Sequence, residues 1–437
     1  MDAAVSISPA MRRRVVVSSI IGNALEWFDF VVYGMLAGII AKAIFPTGDE
    51  TSSLMVTLVT FGVGFGARPF GGIFLGMYSD KHGRKAAMVL MIFLMALGTL
   101  MVGLCPSYSS VGIVAPMFML VARLVQGFSV GGEFSSATAM LIEFAPPGRR
   151  GLYGSFQMCS QMLAFIFGGL FAMLLSKHLD PETMESWGWR VPFLVGSLIG
   201  PIGIYLRHRV DESPEFISAM KARPVGQKMS FRQSLLKARR ELFVSFCTIS
   251  CATSFNYVLI VFIPLFAVQN FGFKTADTQL GVVLANLINL ILIPFTGLLS
   301  DKIGRRTTMI PAIVVFCILA YVFMTQLIAE PTLPHLLCLQ MSIVVMTLLF
   351  GPGPALMSEI FPVQVRSTAI ALSYNIGILL FGGLAPAMVT GLVKETGDNM
   401  SPIYFMFATG AMGVVGLLLW KPVSTGATKQ SSSSKTA

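Results

Sequence analysis

Twelve stretches of this chain stay apolar for roughly the 20 residues an α-helix needs to cross the hydrocarbon of a bilayer, and they leave room for few other architectures. They fall near 15–41, 54–78, 86–104, 115–142, 152–175, 191–206, 242–269, 279–300, 308–328, 335–357, 368–392 and 402–420. In lipid each backbone N–H and C=O must be satisfied inside the segment, so runs of this kind are helices. Composition agrees: 54% of residues are apolar and 12% charged, with a mean hydropathy of +0.76, outside the range of a soluble globular domain. Arg12, Arg13 and Arg14 ahead of the first run would suit a cleaved signal peptide. The run continues past Glu26 without a small-residue cleavage site, so it reads as a retained helix.

A formal net charge of +10 would suit a nucleic-acid partner, but its placement points elsewhere. With alternate loops on opposite sides, Lys42, Lys177, Arg190, Lys274 and Lys394 fall on one side and Arg68 and Arg123 within spans. The other 24 of the 31 Lys and Arg share the second side. That asymmetry is the positive-inside signature, which places both termini and the loop 207–241 in the cytoplasm. The expected partners are the lipid bilayer and small molecules, with no nucleic acid. Cys247 and Cys251 share a helix face but lack a second ligand pair, so they read as packing residues. The four histidines lie singly, leaving no catalytic constellation. No enzyme activity, metal or cofactor is expected.

The chain repeats itself. GMYSDKHGRK at 76–85 returns as GLLSDKIGRR at 297–306, and EFAPPGRRG at 143–151 returns as EIFPVQVRS at 359–367. Two six-helix halves follow: 1–206 and 242–421, joined by a cytoplasmic linker 207–241 and trailed by a polar, low-complexity tail 422–437 expected to be disordered. Duplicated halves with a site at their interface are a common build for secondary transporters. Asp80, Arg84, Glu143 and Arg150, with counterparts Asp301, Arg305, Glu359 and Arg366, put acids and bases at the cytoplasmic helix ends of both halves. There they are placed to pair across the interface as a gate; the positive-inside rule alone makes no demand for the acids.

Deep in the spans the ionisable residues are Glu26 and Asp29 in the first, Arg68 in the second, and Arg123 and Glu133 in the fourth; spans 7 to 12 show none. A charge at the bilayer centre costs at least about 2.5 to 3.5 kcal/mol, so these five must face protein or a water-filled cavity. Asp29 with Arg123 is the candidate proton-coupling pair, a carboxylate whose titration is set by burial against a movable cation. Glu26 either tunes Asp29 or accepts a hydrogen bond, and Glu133 serves proton release or helix pairing. Arg68, beside Pro69 among glycines, is open to a structural or a substrate-binding role, the latter shared with Arg123. In the C-terminal half Asn256, Tyr257 and Tyr374 are the neutral candidates for ligand contact. Pro264, Pro294 and the GPGP at 351–354 are expected to interrupt spans 7, 8 and 10.

The repeated Gly-x-x-x-Asp-Lys-x-Gly-Arg-Lys/Arg turns resemble the signature of the major facilitator superfamily. GNALEWFDFVVYG, ARPFGGIFLGMYSDKHGRK, RLVQGFSVGGE, WGWRVPF and the Glu-Ser-Pro-Glu-Phe after span 6 resemble its metabolite:proton symporter branch, and the likeness runs from about Arg12 to Lys421. FGGLAPAMVTGLVKETGD is similar to citrate/tricarboxylate symporters, while PSYSSVGIVAP and RLVQGFSVGGE are equally similar to proline/betaine carriers. Osmosensing members of the second group carry a C-terminal coiled coil, and the tail here has no heptads, which favours an organic anion. The resemblance implies a twelve-helix major facilitator fold, an acid in helix 1 and an Arg in helix 4 coupling to protons, and a cytoplasmic latch; a monomer in a bacterial-type inner membrane is expected. The expected function is proton-coupled symport of a small organic acid. The rivals are a proton symporter for zwitterionic osmolytes and a non-transporting receptor of the same fold.

Overall fold

The computed structural model describes residues 8–221 and 238–421. Twelve helices in it are long and apolar enough to cross a membrane. They are α1 (Pro9–Met35), α2 (Glu50–His82), α3 (Arg84–Gly103), α4 (Val114–Glu143), α5 (Arg150–His178), α6 (Val191–His208), α7 (Arg239–Phe271), α8 (Thr275–Ile303), α9 (Arg305–Ala329), α10 (Leu333–Ile360), α11 (Arg366–Thr396) and α12 (Ser401–Leu419). The expected disordered tail and residues 222–237 of the expected linker lie outside the described residues.

Helix boundaries follow local chemistry that hydropathy does not see. The Ser8 side chain accepts a hydrogen bond from the Met11 N–H and Pro9 takes the first helical position, so α1 starts before the apolar run and carries Arg12 to Arg14 in its first turns. The apolar run to residue 41 is not one helix: α1 ends at Met35 and a short helix, Ala37–Ile44, follows. α2 and α8 both end on glycines, Gly83 at φ 103° and Gly304 at φ 98°, a left-handed conformation that a side chain would strain. The repeated Gly-Arg is therefore the corner that turns α2 into α3 and α8 into α9.

Within the N-terminal half α2 and α4 cross backbone to backbone. A Cβ at Gly71, Gly127 or Gly131 would lie 1.8, 2.0 or 2.1 Å from the carbonyl oxygens of Phe128, Gly64 and Arg68 respectively. Small residues at such a crossing give close van der Waals contact, the main adhesive between helices in lipid. The C-terminal half is cemented by a large apolar cluster that includes Phe255, Phe316, Leu336 and Met346. Cys247 and Cys251 sit against Gly416 and Gly413 of α12 as packing side chains.

The halves meet along α2 with α11 and α5 with α8. Gly76 lies against Thr368, and Gly151 against Gly297, so close contact is made at the end of the bundle that holds the two Gly-Arg corners, here called the turn face. Two of the three expected interruptions occur. A π-helical turn, Val258–Phe262, precedes Pro264 in α7, and α10 breaks between Phe350 and Gly353. Pro294, by contrast, sits inside an unbroken α8; neighbouring helices can absorb the backbone group that a membrane proline frees. A second π turn, Leu379–Gly383, lies in α11.

Candidate functional site

One face of α1 organises the charge. Gly22, Glu26, Asp29 and Tyr33 recur at helical spacing, and three carboxylate–arginine pairs stack along this column. At the level farthest from the turn face, the Asp29 carboxylate, fully buried, accepts a 2.7 Å hydrogen bond from Arg123 Nη1 of α4. Arg123 also donates to Gln126 Oε1 at 2.7 Å and lies 3.6 Å from the centroid of the Tyr33 ring; Gln126 in turn donates to Thr99. The sequence pairing of Asp29 with Arg123 is thus a close contact.

One turn on, Glu26 Oε1 lies 3.7 Å from Arg68 Nη2 of α2, too long for a hydrogen bond. Arg68 is 1% exposed and its guanidinium lies over the rings of Phe30 (4.5 Å) and Phe65 (4.4 Å), with Trp27 at 5.9 Å. None of its three side-chain nitrogens has a hydrogen-bond partner. Nearest the turn face, Glu133 of α4 is bonded to Arg207, which also donates to the Met88 carbonyl. Gly22 makes room for the pair, since a Cβ there would overlap both side chains. Arg207 corrects the sequence inventory: α6 continues to His208, so this residue is buried in the bundle and not in a solvated linker. The missed signal was Glu133 itself, a buried acid with no cation yet assigned to it.

Between the halves lies a cavity of about 110 Å³. Trp27, Phe134, Gln161 and Phe165 line it from the N-terminal half; Thr253, Asn256, Tyr257, Asn286 and Tyr374 line it from the other. The three neutral candidates are all present. Arg68 and Arg123 are not in the lining, and no Asp, Glu, Lys, Arg or His is among the described lining residues. Tyr374 stacks on Phe134 at 3.8 Å with the planes 2° apart, a contact from α11 to α4. Gln161 was not foreseen. Asn375 is not a lining residue: its Nδ2 donates to the Gly131 carbonyl across the halves at 2.7 Å.

The repeated acids close the turn face by capping helices of the opposite half. Asp80 accepts hydrogen bonds from the backbone N–H groups of Ser367 and Thr368, at the start of α11, and Asp301 from those of Gly151 and Leu152, at the start of α5. These are orphan donors of a helix N-terminus, where negative charge is favoured. Glu143 takes Arg84 at 3.4 Å within its half and Arg366 across the halves at 2.7 Å. Arg305 holds Asp301 and Glu359 at 2.8 and 2.9 Å. The symmetry then breaks: Arg150 pairs with Glu215 at 2.6 Å, not with Glu359. Glu215 belongs to a short helix, Pro214–Lys221, that also reaches Arg366, and Glu212 accepts from the N–H groups of Arg84 and Lys85. The Glu-Ser-Pro-Glu-Phe segment is thus part of the closure, a role its sequence did not reveal.

Twelve spanning helices in two halves around a central cavity, with a closure built from repeated turns, define a polytopic membrane transporter and not an enzyme. The chain belongs to the major facilitator superfamily. Residues 15–242 match the family described as Sugar (and other) transporter and residues 244–436 the Major Facilitator Superfamily. A citrate-proton symporter of Klebsiella pneumoniae is 35% identical over 90% of this chain and 88% of its own length. A proline/betaine transporter of Salmonella typhimurium is 32% identical over 92% and 82%. Among solved structures, the proton:xylose symporter XylE superposes with a TM-score of 0.76 at 17% identity, covering 94% of this chain and 95% of that one.

Proposed function

We propose that this protein is a proton-coupled symporter of a small organic acid, working by alternating access as a monomer in a bacterial-type inner membrane. In this reading the turn face is cytoplasmic, as the excess of Lys and Arg on that side supports, and its closure makes the described conformation outward-facing. The observation that carries the proposal is the buried Asp29–Arg123 pair at 2.7 Å. Protonation of Asp29 cancels its charge and loosens Arg123; deprotonation restores the pair, so proton occupancy biases which conformation is favoured. The carboxylate of the solute is held by Asn256, Tyr257 and Tyr374, with Arg68 as its cation. Arg68 has no hydrogen bonds to give up and lies 5.9 Å from the ring centroid of Trp27, a lining residue of the cavity.

A second reading, a zwitterion such as proline or betaine, is supported by the uncharged and aromatic lining. Ring faces of Trp27, Phe165 and Tyr374 suit an ammonium group, and a tricarboxylate would find few cations there. Flux of labelled citrate against labelled betaine in proteoliposomes separates the two, and binding without uphill accumulation of either would favour a receptor. The coupling claim is tested by Asp29→Asn, which mimics the protonated acid. Accumulation driven by a pH gradient should fall to background while exchange of internal for external solute persists. A pair that is only structural predicts loss of both, since removing one partner strands a buried cation at about 3–5 kcal/mol. Retained gradient-driven uptake refutes the assignment.

A further inference from the structure

Besides the solute cavity, the N-terminal half encloses a second space. It is lined by Gly22, Glu26, Met91, Ser129, Val130 and Glu133 among others and has room for about one water molecule. It joins two of the three carboxylates of the charged column. Glu26 Oε2 is buried without a hydrogen-bond partner, and Glu133 closes the other end with Arg207 behind it. Ser129 adds a hydroxyl between them, bonded to the Met91 carbonyl at 2.5 Å. A buried carboxylate oxygen left unbonded is costly, and a water held by Glu26, Ser129 and Glu133 would satisfy it.

We propose that Glu26, this enclosed space and Glu133 form a proton branch through the N-terminal half, along a space that shares no lining residue with the solute cavity. The branch rests on the proton-coupled reading above and lies downstream of Asp29. Protonated Glu26 gives its proton to the intervening water, which passes one to the Glu133 carboxylate. Glu26 is left charged against Arg68, and Glu133, now neutral, lets go of Arg207. When the turn face opens, Glu133 loses the proton to the cytoplasm and pairs with Arg207 again. The charged groups that set this balance are Arg68 of α2, beside Glu26, and Glu133 of α4 with Arg207 of α6 behind it, while α3 faces the space with Met91, Ile92 and Met95. Tyr257 of α7 and Tyr374 of α11 lie near enough to sense the charge on Glu26. Below Glu133 the apolar side chains of Met88, Ala137, Met140, Leu141 and Phe144 seal the route. The branch is therefore shut towards the turn face while that face is closed, as coupling without a leak demands.

The test uses full-length protein in proteoliposomes with a pH indicator inside, and labelled citrate or betaine, whichever the wild type accumulates. Glu133→Gln with Arg207→Gln removes both charges together, so neither is stranded; Val130→Leu fills the space and leaves every charge in place. Proton influx and gradient-driven accumulation are expected to fall at least tenfold in the double variant and severalfold in Val130→Leu, with solute exchange within about threefold of wild type. Influx and accumulation within twofold of wild type in both variants overturn the branch, as does a parallel loss of exchange and accumulation, which would mark a purely structural pair. Wild-type accumulation without proton influx would instead overturn the coupling reading itself, and the branch with it.

Discussion

Asp80→Asn tests the closure at the turn face. Asp80 accepts four hydrogen bonds: Arg84 Nη1 at 2.6 Å, the Ser367 and Thr368 N–H groups at 3.2 and 2.9 Å, and the Thr368 hydroxyl at 2.6 Å. The last three cross to the other half and exist only while the halves are together there. Asparagine caps a helix about as well as aspartate, so the variant keeps part of this geometry. It loses the charge that favours the α11 N-terminus, an effect of about 0.3–1 kcal/mol that reaches about 2 when partly buried. The net cost to the closed state is therefore about 1–2 kcal/mol, or an open-to-closed ratio about 5- to 30-fold higher. Asp80→Ala, which strands the opposing donors, should cost more. Pulsed electron paramagnetic resonance between spin labels at Lys81 and Lys302, both exposed and one on each half, reads the ratio as a growing long-distance population. Equilibrium binding of the solute should change only through that ratio. An unchanged distance distribution in both Asp80→Asn and Asp80→Ala, in folded protein, refutes the reasoning.

Asp301→Asn should shift the same ratio by a similar amount, and the double variant should show the two effects adding within about 0.5 kcal/mol, because the caps share no partner; the same labels check it. Glu215→Gln should matter less, at most about 1 kcal/mol and screened by salt, since its carboxylate is 31% exposed. Gly127→Ala places a methyl 2.0 Å from the Gly64 carbonyl, so the α2–α4 crossing must spread; a fall in melting temperature of several degrees, or failure to insert, is expected in a thermal unfolding assay. Tyr374→Phe keeps the stack on Phe134 and Tyr374→Ala removes it. Aromatic stacking contributes about 0.5–1.5 kcal/mol, so affinity measured by ligand-dependent thermal shift should fall further in the alanine variant.

How much of this was legible beforehand depended on the range of the interaction. The spans were readable because apolar length is a local property, and the repeated corners because Gly83 and Gly304 answer a backbone demand at one residue. Asp29 with Arg123 was readable because two buried opposite charges on neighbouring spans have few other solutions. Arg207 was not, since hydropathy ends span 6 two residues too soon and hides a charge that burial makes internal. The partner of Arg150 was also missed: strict repeat symmetry points to Glu359, whereas the chain supplies Glu215 from a segment outside the repeat. Nor did composition separate the lining residues from the rest; Gln161, Asn286 and Asn375 are all polar residues within spans, and only the packing decides that the first two face the cavity while the third ties the halves together.

The unequal sharing of charge between the halves bears on how such a chain diversifies. All six members of the charged column belong to α1, α2, α4 and α6, while Thr253, Asn256, Tyr257, Asn286 and Tyr374 of the cavity belong to α7, α8 and α11. A substitution among those neutral side chains exchanges one hydrogen-bonding shape for another without stranding a buried ion. Drift in solute preference can then proceed by single steps, each survivable, while the energetics of the column stay fixed. Relatives sharing about a third of their residues yet named for citrate in one case and for proline and betaine in another are the descent that such a partition would leave behind.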